Sequence, residues 1–388
     1  MSKFIFKVCL LISIAELFPY PSFSQTDSLL NVMETSEGAE RVDNLNALFR
    51  ATINTNLQEA LGHALEGAEL AERVGYRQGK ANSLNNVGVA YKNMGVLDRA
   101  LSSYMGALEI YEQLNDDGGI ASGLNNIGAI YTMYNDNDKA LEFFTKAHEI
   151  IKKTGDREKE ILSLNNLGNV QRSRTYNVIA KEHYRRALEL CETTQRKDLT
   201  FDPLFNMANI YLAEQKYDTA LLFYAQARQT ASEFNNLNGL VHTLSSMGKA
   251  YSLTKQFSVA LDTLEKALAI ADNISDDLQL AEILNTMAHI KFESGDKDGA
   301  FLALQNCMEI KDNLAEAEVK KRVREMQFSL NAHLNDYYEK EKEVRTLQLT
   351  NSRSVVIIGL LVALLMGGAG YTWLKIWSIK KDQAEEKV

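Results

Sequence analysis

A period of 40 residues runs through most of this chain and constrains its fold more than any other feature. One phase of the repeat reads Gly88, Gly128, Gly168, Ala208, Gly248 and Ala288, and another reads Ala100, Ala140, Ala180, Ala220, Ala260 and Ala300. Four residues past the second phase stand Tyr104, Phe144, Tyr184, Tyr224, Leu264 and Leu304. Three further on stand Ala107, Ala147, Ala187, Ala227, Ala267 and Cys307. Each period holds two helical patterns, such as Ala121–Met133 and Lys139–Lys152, parted by the turn residues Asn135-Asp136-Asn137 and closed by Asn115-Asp116-Asp117-Gly118. Asp98, Asp138, Asp218 and Asp298 fall in the first turn of the second helix, where a carboxylate suits the helix dipole. Prolines are too scarce to oppose this reading, since the chain has only 3 and Pro203 is the sole one after residue 21.

The small residues predict close helix crossings, with the aromatic and leucine phases filling the space between neighbouring units. A single hairpin cannot bury its apolar face, so the expected architecture is all-α: about seven hairpins stacked into a right-handed α-solenoid over residues 25–313. Residues 41–80 keep the phase only through Leu48, Ala60 and Leu61, as a degenerate first or capping unit would.

Leu124-Asn125-Asn126-Ile127-Gly128-Ala129-Ile130-Tyr131, followed by Ala140-Leu141, Phe144 and Ala147, resembles the tetratricopeptide repeat in its longer, 40-residue form. The resemblance covers roughly residues 41–313. It is weaker around Arg172–Val178, which lacks the tyrosine and the turn residues, and at 201–240, which opens with Pro203 and has Ala208 for glycine. It implies a concave groove lined by the first helix of each unit, and hence binding of a peptide or protein.

The two ends of the chain carry membrane signals. Residues 1–24 read as a secretory signal peptide, with Lys3 and Lys7, the apolar run Val8–Ala15 and the small-x-small site Ser22-Phe23-Ser24. Val355–Leu374 gives 20 residues without a charge, the length of a transmembrane helix. Lys and Arg are evenly balanced about this span, so its orientation is read from the signal peptide. That places the repeats on the extracytoplasmic, periplasmic side of a bacterial inner membrane, in a single-pass protein with residues 375–388 as a cytoplasmic tail. Gly359, Ala363 and Gly367 recur on one face of the span and would let two copies pair as a homodimer. Residues 314–353 form a charged helical linker with heptad positions at Val319, Val323, Met326, Leu330, Tyr337, Val344 and Leu347; it reads equally as a coiled coil or as a single helix.

Composition excludes several functions. The formal net charge is −9, and with no basic stripe in the repeats this argues against nucleic acid as a partner. Cys191 and Cys307 are too far apart in the repeat array to pair, and both sit at small or apolar phases, as buried thiols do. His63, His148, His183, His242, His289 and His333 fall at scattered phases and form no metal-ligand set. No phosphate loop, nucleophile motif or cofactor signature occurs, so an enzyme is not expected and no cofactor is implied.

One polar feature suggests a site. Asn86, Asn126, Asn166 and Asn206, with Ser246 and Thr286 in phase, form a ladder on the first helices, seconded by Asn85, Asn125, Asn165 and Asn285. An amide both donates and accepts, so a row of them can hold an extended peptide by its backbone. The competing use of these side chains is to bond between adjacent first helices and stabilise the stack. A carboxylate-clamping groove would need a line of cations, and only Arg172 and Lys249 are available, so recognition of a free C-terminus is not supported.

Two functions fit this layout. One is a membrane-anchored scaffold that binds protein or peptide partners through the groove. The other is the sensory input module of a signalling system, because the arrangement resembles the extracytoplasmic half of bacterial tetratricopeptide sensor kinases and regulators. The short stretch after Leu374 carries no output domain, which favours the scaffold or a partner-dependent regulator.

Overall fold

The structure, a computed structural model, describes residues 35–316 and, beyond them, positions 29, 32, 342, 345, 346 and 375. The signal segment, the heptad positions from Val319 onward and the span Val355–Leu374 with Gly359, Ala363 and Gly367 lie outside the described residues. Among the described residues no helix is long and apolar enough to cross a membrane.

The described chain is an all-α solenoid of helices in consecutive pairs. These are α1 (Gly38–Thr52) with α2 (Leu57–Val74), α3 (Arg77–Asn93) with α4 (Leu97–Leu114), and α5 (Asp117–Met133) with α6 (Asn137–Thr154). There follow α7 (Arg157–Ser173) with α8 (Asn177–Thr194), α9 (Phe201–Ala213) with α10 (Tyr217–Glu233), and α11 (Leu237–Leu253) with α12 (Phe257–Asn273). The last pair is α13 (Asp277–Glu293) with α14, helical over 297–316. Each helix packs chiefly on the helices immediately before and after it in the chain.

The turns explain the regularity. Between residues 75 and 295 a left-handed backbone residue recurs every 20 residues: Gly75, Gly95, Asn115, Asn135, Gly155, Thr175, Gln195, Gln215, Asn235, Lys255, Ser275 and Gly295. Each ends one helix and turns the chain back within about two residues, as a left-handed C-terminal cap does. Asn56, Asp116, Asp136, Asp156, Asn236, Asp276 and Asp296 then cap the next helix, each accepting from the backbone N–H three residues on. Thr175 takes the turn conformation with φ +66°, so the fourth hairpin keeps its geometry without the usual turn residues. The fifth does not: Lys197–Thr200 winds as a 3-10 turn, and α9 has 13 residues where the other first helices from α3 to α13 have 17. Pro203 fits there because the first turn of a helix has no partner for its N–H in any case.

The core lies between the two layers of helices and runs the length of the stack. Ala100, Ala140, Ala180, Ala220 and Ala260 are fully buried, as are Tyr104, Tyr184, Tyr224 and Leu264. The glycine phase is a steric requirement set by those larger residues. A Cβ on Gly88, Gly128, Gly168 or Gly248 would lie 2.5, 2.9, 2.4 or 2.5 Å from Tyr104, Phe144, Tyr184 or Leu264, inside normal contact. Leu304, in the same phase but on the last hairpin, is 43% exposed; its counterparts are covered by the next hairpin.

Candidate ligand groove on the first helices

The first helices of successive hairpins touch one another directly, whereas the second helices meet chiefly the first helices on either side. The odd-numbered helices therefore form the inner layer. Along each from α3 onward, the residues spaced like Asn82, Asn86, Val89 and Asn93 make one stripe of half-buried or exposed positions, at the i, i+4, i+7 and i+11 spacing of one helix face. The asparagine ladder lies in or beside this stripe.

All seven ladder asparagines, Asn85, Asn86, Asn125, Asn126, Asn165, Asn166 and Asn206, are half-buried. Several bond across hairpins. Asn86 Nδ2 donates to Asn46 Oδ1 at 2.8 Å, Asn126 Nδ2 to Asn85 Oδ1 at 2.8 Å, and Asn206 Nδ2 to Asn165 Oδ1 at 3.3 Å. In the last two steps the second asparagine of one unit donates to the first asparagine of the unit before; Asn46, which Ser83 also bonds, plays that part in the first unit. The stabilising use of the ladder is thus real at three steps. One such bond leaves each amide with further donors or lone pairs, so it does not use up the groove face.

The ladder breaks between the third and fourth hairpins. Asn125 Oδ1 is buried and receives no protein donor, and Asn166 makes no hydrogen bond to another protein group. At this step α5 and α7 make the least contact of the neighbouring pairs in the inner layer.

A second polar network, not foreseen in the sequence, adjoins it. The buried Tyr184 donates its hydroxyl to Asn169 Oδ1 at 2.7 Å, and Tyr224 donates to Asn209 Oδ1 at 2.6 Å. Burial pushes both phenols up to about 12, with the Arg172 charge opposing the shift at each. Arg172 also lies within hydrogen-bonding reach of Tyr184, and Ser246 of Tyr224, which joins α7 through α11 into one polar surface. The signal that could have revealed it is the spacing of 15: tyrosine at 184 and 224 comes with asparagine at 169 and 209, while Phe144 comes with Ala129.

The other titratable groups behave as structural residues. His148 bonds Ser163 Oγ at 2.7 Å, and burial lowers its pKa and that of His183. Cys191 is buried and its thiol is pushed up to about 11, while Cys307 Sγ donates to the Ala281 carbonyl. Among the described residues no group of three or more histidine, cysteine or acidic side chains is placed to hold a metal.

Comparison with known proteins agrees with this geometry. The tetratricopeptide repeat model matches residues 80–153, 119–193 and 199–273. No curated protein matches the chain in sequence. Among solved structures, the chain is similar to a signal-transduction ATPase with a tetratricopeptide repeat sensor from Pyrococcus horikoshii, with a TM-score of 0.60 at 19% identity over 77% of this chain. The match spans only 46% of that protein, just under half its length. It is also similar to the apo quorum sensor NprR from B. thuringiensis, with a TM-score of 0.60 at 15% identity over 79% of this chain and 84% of that one. A Rap protein complexed with competence and sporulation factor gives 0.57 at 20% identity over 78% and 83%. At these identities the likeness is one of fold. The repeat period, the hairpin geometry and the family match agree, and the chain belongs to the tetratricopeptide repeat proteins.

Proposed function

We propose that this chain is a membrane-anchored scaffold whose repeats bind a peptide or an extended protein segment along the inner layer of first helices. The observation that carries the reading is the open ladder step, where the half-buried Asn166 amide lacks a side-chain partner in the protein and can pair with the C=O and N–H of a ligand backbone. The similar fold of a quorum sensor and of a Rap protein solved with a factor bound supports a peptide ligand. The signal segment and the span Val355–Leu374 support an extracytoplasmic position, and Gly359, Ala363 and Gly367 a homodimer. A sensory input role is the second reading, favoured by the likeness to a protein that carries these repeats as its sensor.

The test uses the purified full-length chain on an array of random heptapeptides anchored through their C-termini. Asn166→Ala should abolish most of the bound signal and leave the urea midpoint unchanged, because that side chain bonds no other protein group. Asn126→Ala should lower the midpoint, because its interhelix bond is lost. Array binding unaffected by Asn166→Ala would remove the case for the groove.

A further inference from the structure

The polar network around Tyr184 and Tyr224 has a sign. Each hydroxyl donates to an asparagine carbonyl, so Asn169 and Asn209 have spent acceptor capacity inward and are left with amide N–H groups to offer. Arg172 follows Asn169 by three residues on the same helix, which makes them neighbours on one face. Lys249 continues the Asn169 and Asn209 row on α11, one period further on. Arg172 and Lys249 are both exposed, and neither has a carboxylate within ion-pair distance among the described residues.

Several other cations of the repeats, such as Arg174, Lys181 and Arg185, are tied to a neighbouring acid, whereas Arg172 and Lys249 stay open on the inner layer. The inner layer does hold acids: Asp202 lies near the start of α9 and Glu282 near the start of α13, at the opposite helix end from Arg172 and Lys249. Asp202 makes no ion pair among the described residues. The inner layer of α7, α9 and α11 thus carries two exposed cations without an acid partner and two donor amides.

We infer that the inner layer across the fourth to sixth hairpins is an acid-reading subsite, in which Arg172 and Lys249 take side-chain carboxylates of the bound segment and Asn169 and Asn209 donate to its backbone carbonyls. The inference rests on the groove reading and adds a specificity to it: the partner segment is acidic at this point. Two cations do not make a clamp for a free chain terminus, and an internal aspartate or glutamate needs no more than this. The net negative charge of the chain disfavours an acidic segment over most of its surface, which sharpens the selection at Arg172 and Lys249.

The same C-terminally anchored array separates the two claims, because every carboxylate on it belongs to a side chain. Aspartate and glutamate should be enriched among bound peptides. Arg172→Gln should weaken acid-bearing peptides about ten- to a hundredfold while sparing neutral ones, and Arg172→Lys should restore part of the loss. Raising the salt concentration should compress the difference between acidic and neutral peptides. Binding that depends on Asn166 but shows no acid preference, or a preference untouched by Arg172→Gln and Lys249→Gln, would overturn this inference and leave the groove standing. Binding that ignores Asn166 as well would overturn both.

Discussion

Removing the hydroxyl of Tyr104 should stabilise the protein, whereas the same change at Tyr184 or Tyr224 should destabilise it. All three side chains are fully buried at one phase of the repeat. Tyr184 and Tyr224 have acceptors in Asn169 and Asn209, but the position that matches these for Tyr104 is Val89, and the buried Tyr104 oxygen has no protein partner. Burial alone accounts for the upward shift of its phenol. An unsatisfied buried hydroxyl costs ~1–3 kcal/mol, and the void left by one oxygen offsets part of that gain. Tyr104→Phe should therefore gain about 1 kcal/mol, while Tyr184→Phe and Tyr224→Phe should each lose about 1 kcal/mol with their hydrogen bond. Phe144, opposite Ala129, shows that the site accepts the ring alone. The assay is urea unfolding of the full chain, read as a shift of midpoint at constant slope. Val89→Asn supplies the missing acceptor and should also raise the midpoint. If Tyr104→Phe lowers the midpoint as much as Tyr184→Phe does, hydroxyl pairing is not what distinguishes these repeats.

Three further outcomes can be measured in the same way. Gly168→Ala gains helix propensity worth about 1 kcal/mol but drives a Cβ to 2.4 Å from Tyr184, so it should lose ~1–2 kcal/mol net; Gly62→Ala, where nothing lies within 4 Å, should gain about 1 kcal/mol. Thr175 is β-branched at φ +66°, and Thr175→Gly should raise the midpoint by the equivalent of about 1 kcal/mol if the turn is held as the structure shows. Burial lowers the pKa of His148 and His183 below the ordinary histidine value of 6.5, so the unfolded chain takes up protons that the folded one refuses. Stability carried by these histidines is complete above that value and falls as the pH drops below it; midpoints at pH 7.5 and pH 5.5 should differ less in a His148→Gln, His183→Gln variant.

The repeat made the fold legible because period, helix pairing and glycine phase are all local or strictly periodic. Gly128 against Phe144 could be read from sequence since both members recur in register. The site was harder to read. Asn125 and Asn166 are the same residue type at the same phases as Asn85 and Asn126, yet one step is joined and the other open, and the open step is the one where α5 and α7 make the least contact. The packing of whole hairpins is not reported by any single residue. Arg172 and Lys249 stood out as cations in the row. Their meaning depended on the absence of acids beside them and on the tyrosine hydroxyls behind Asn169 and Asn209, neither of which a linear reading displays. Pro203 marked the irregular unit correctly, and its effect was confined to one turn of 3-10 helix at the start of α9.

The central claim is that the inner layer of first helices is the binding surface, and site-specific photocrosslinking in intact cells tests it most directly. Benzoylphenylalanine placed at Ser122 or Leu162 lies one turn from Asn126 or Asn166 on the exposed inner face, whereas Lys146 and Lys266 are exposed on second helices. The account predicts discrete adducts from positions 122 and 162 that disappear with Asn166→Ala, and none from 146 or 266. Adducts arising from the second helices alone, or equally from all four positions, would contradict it.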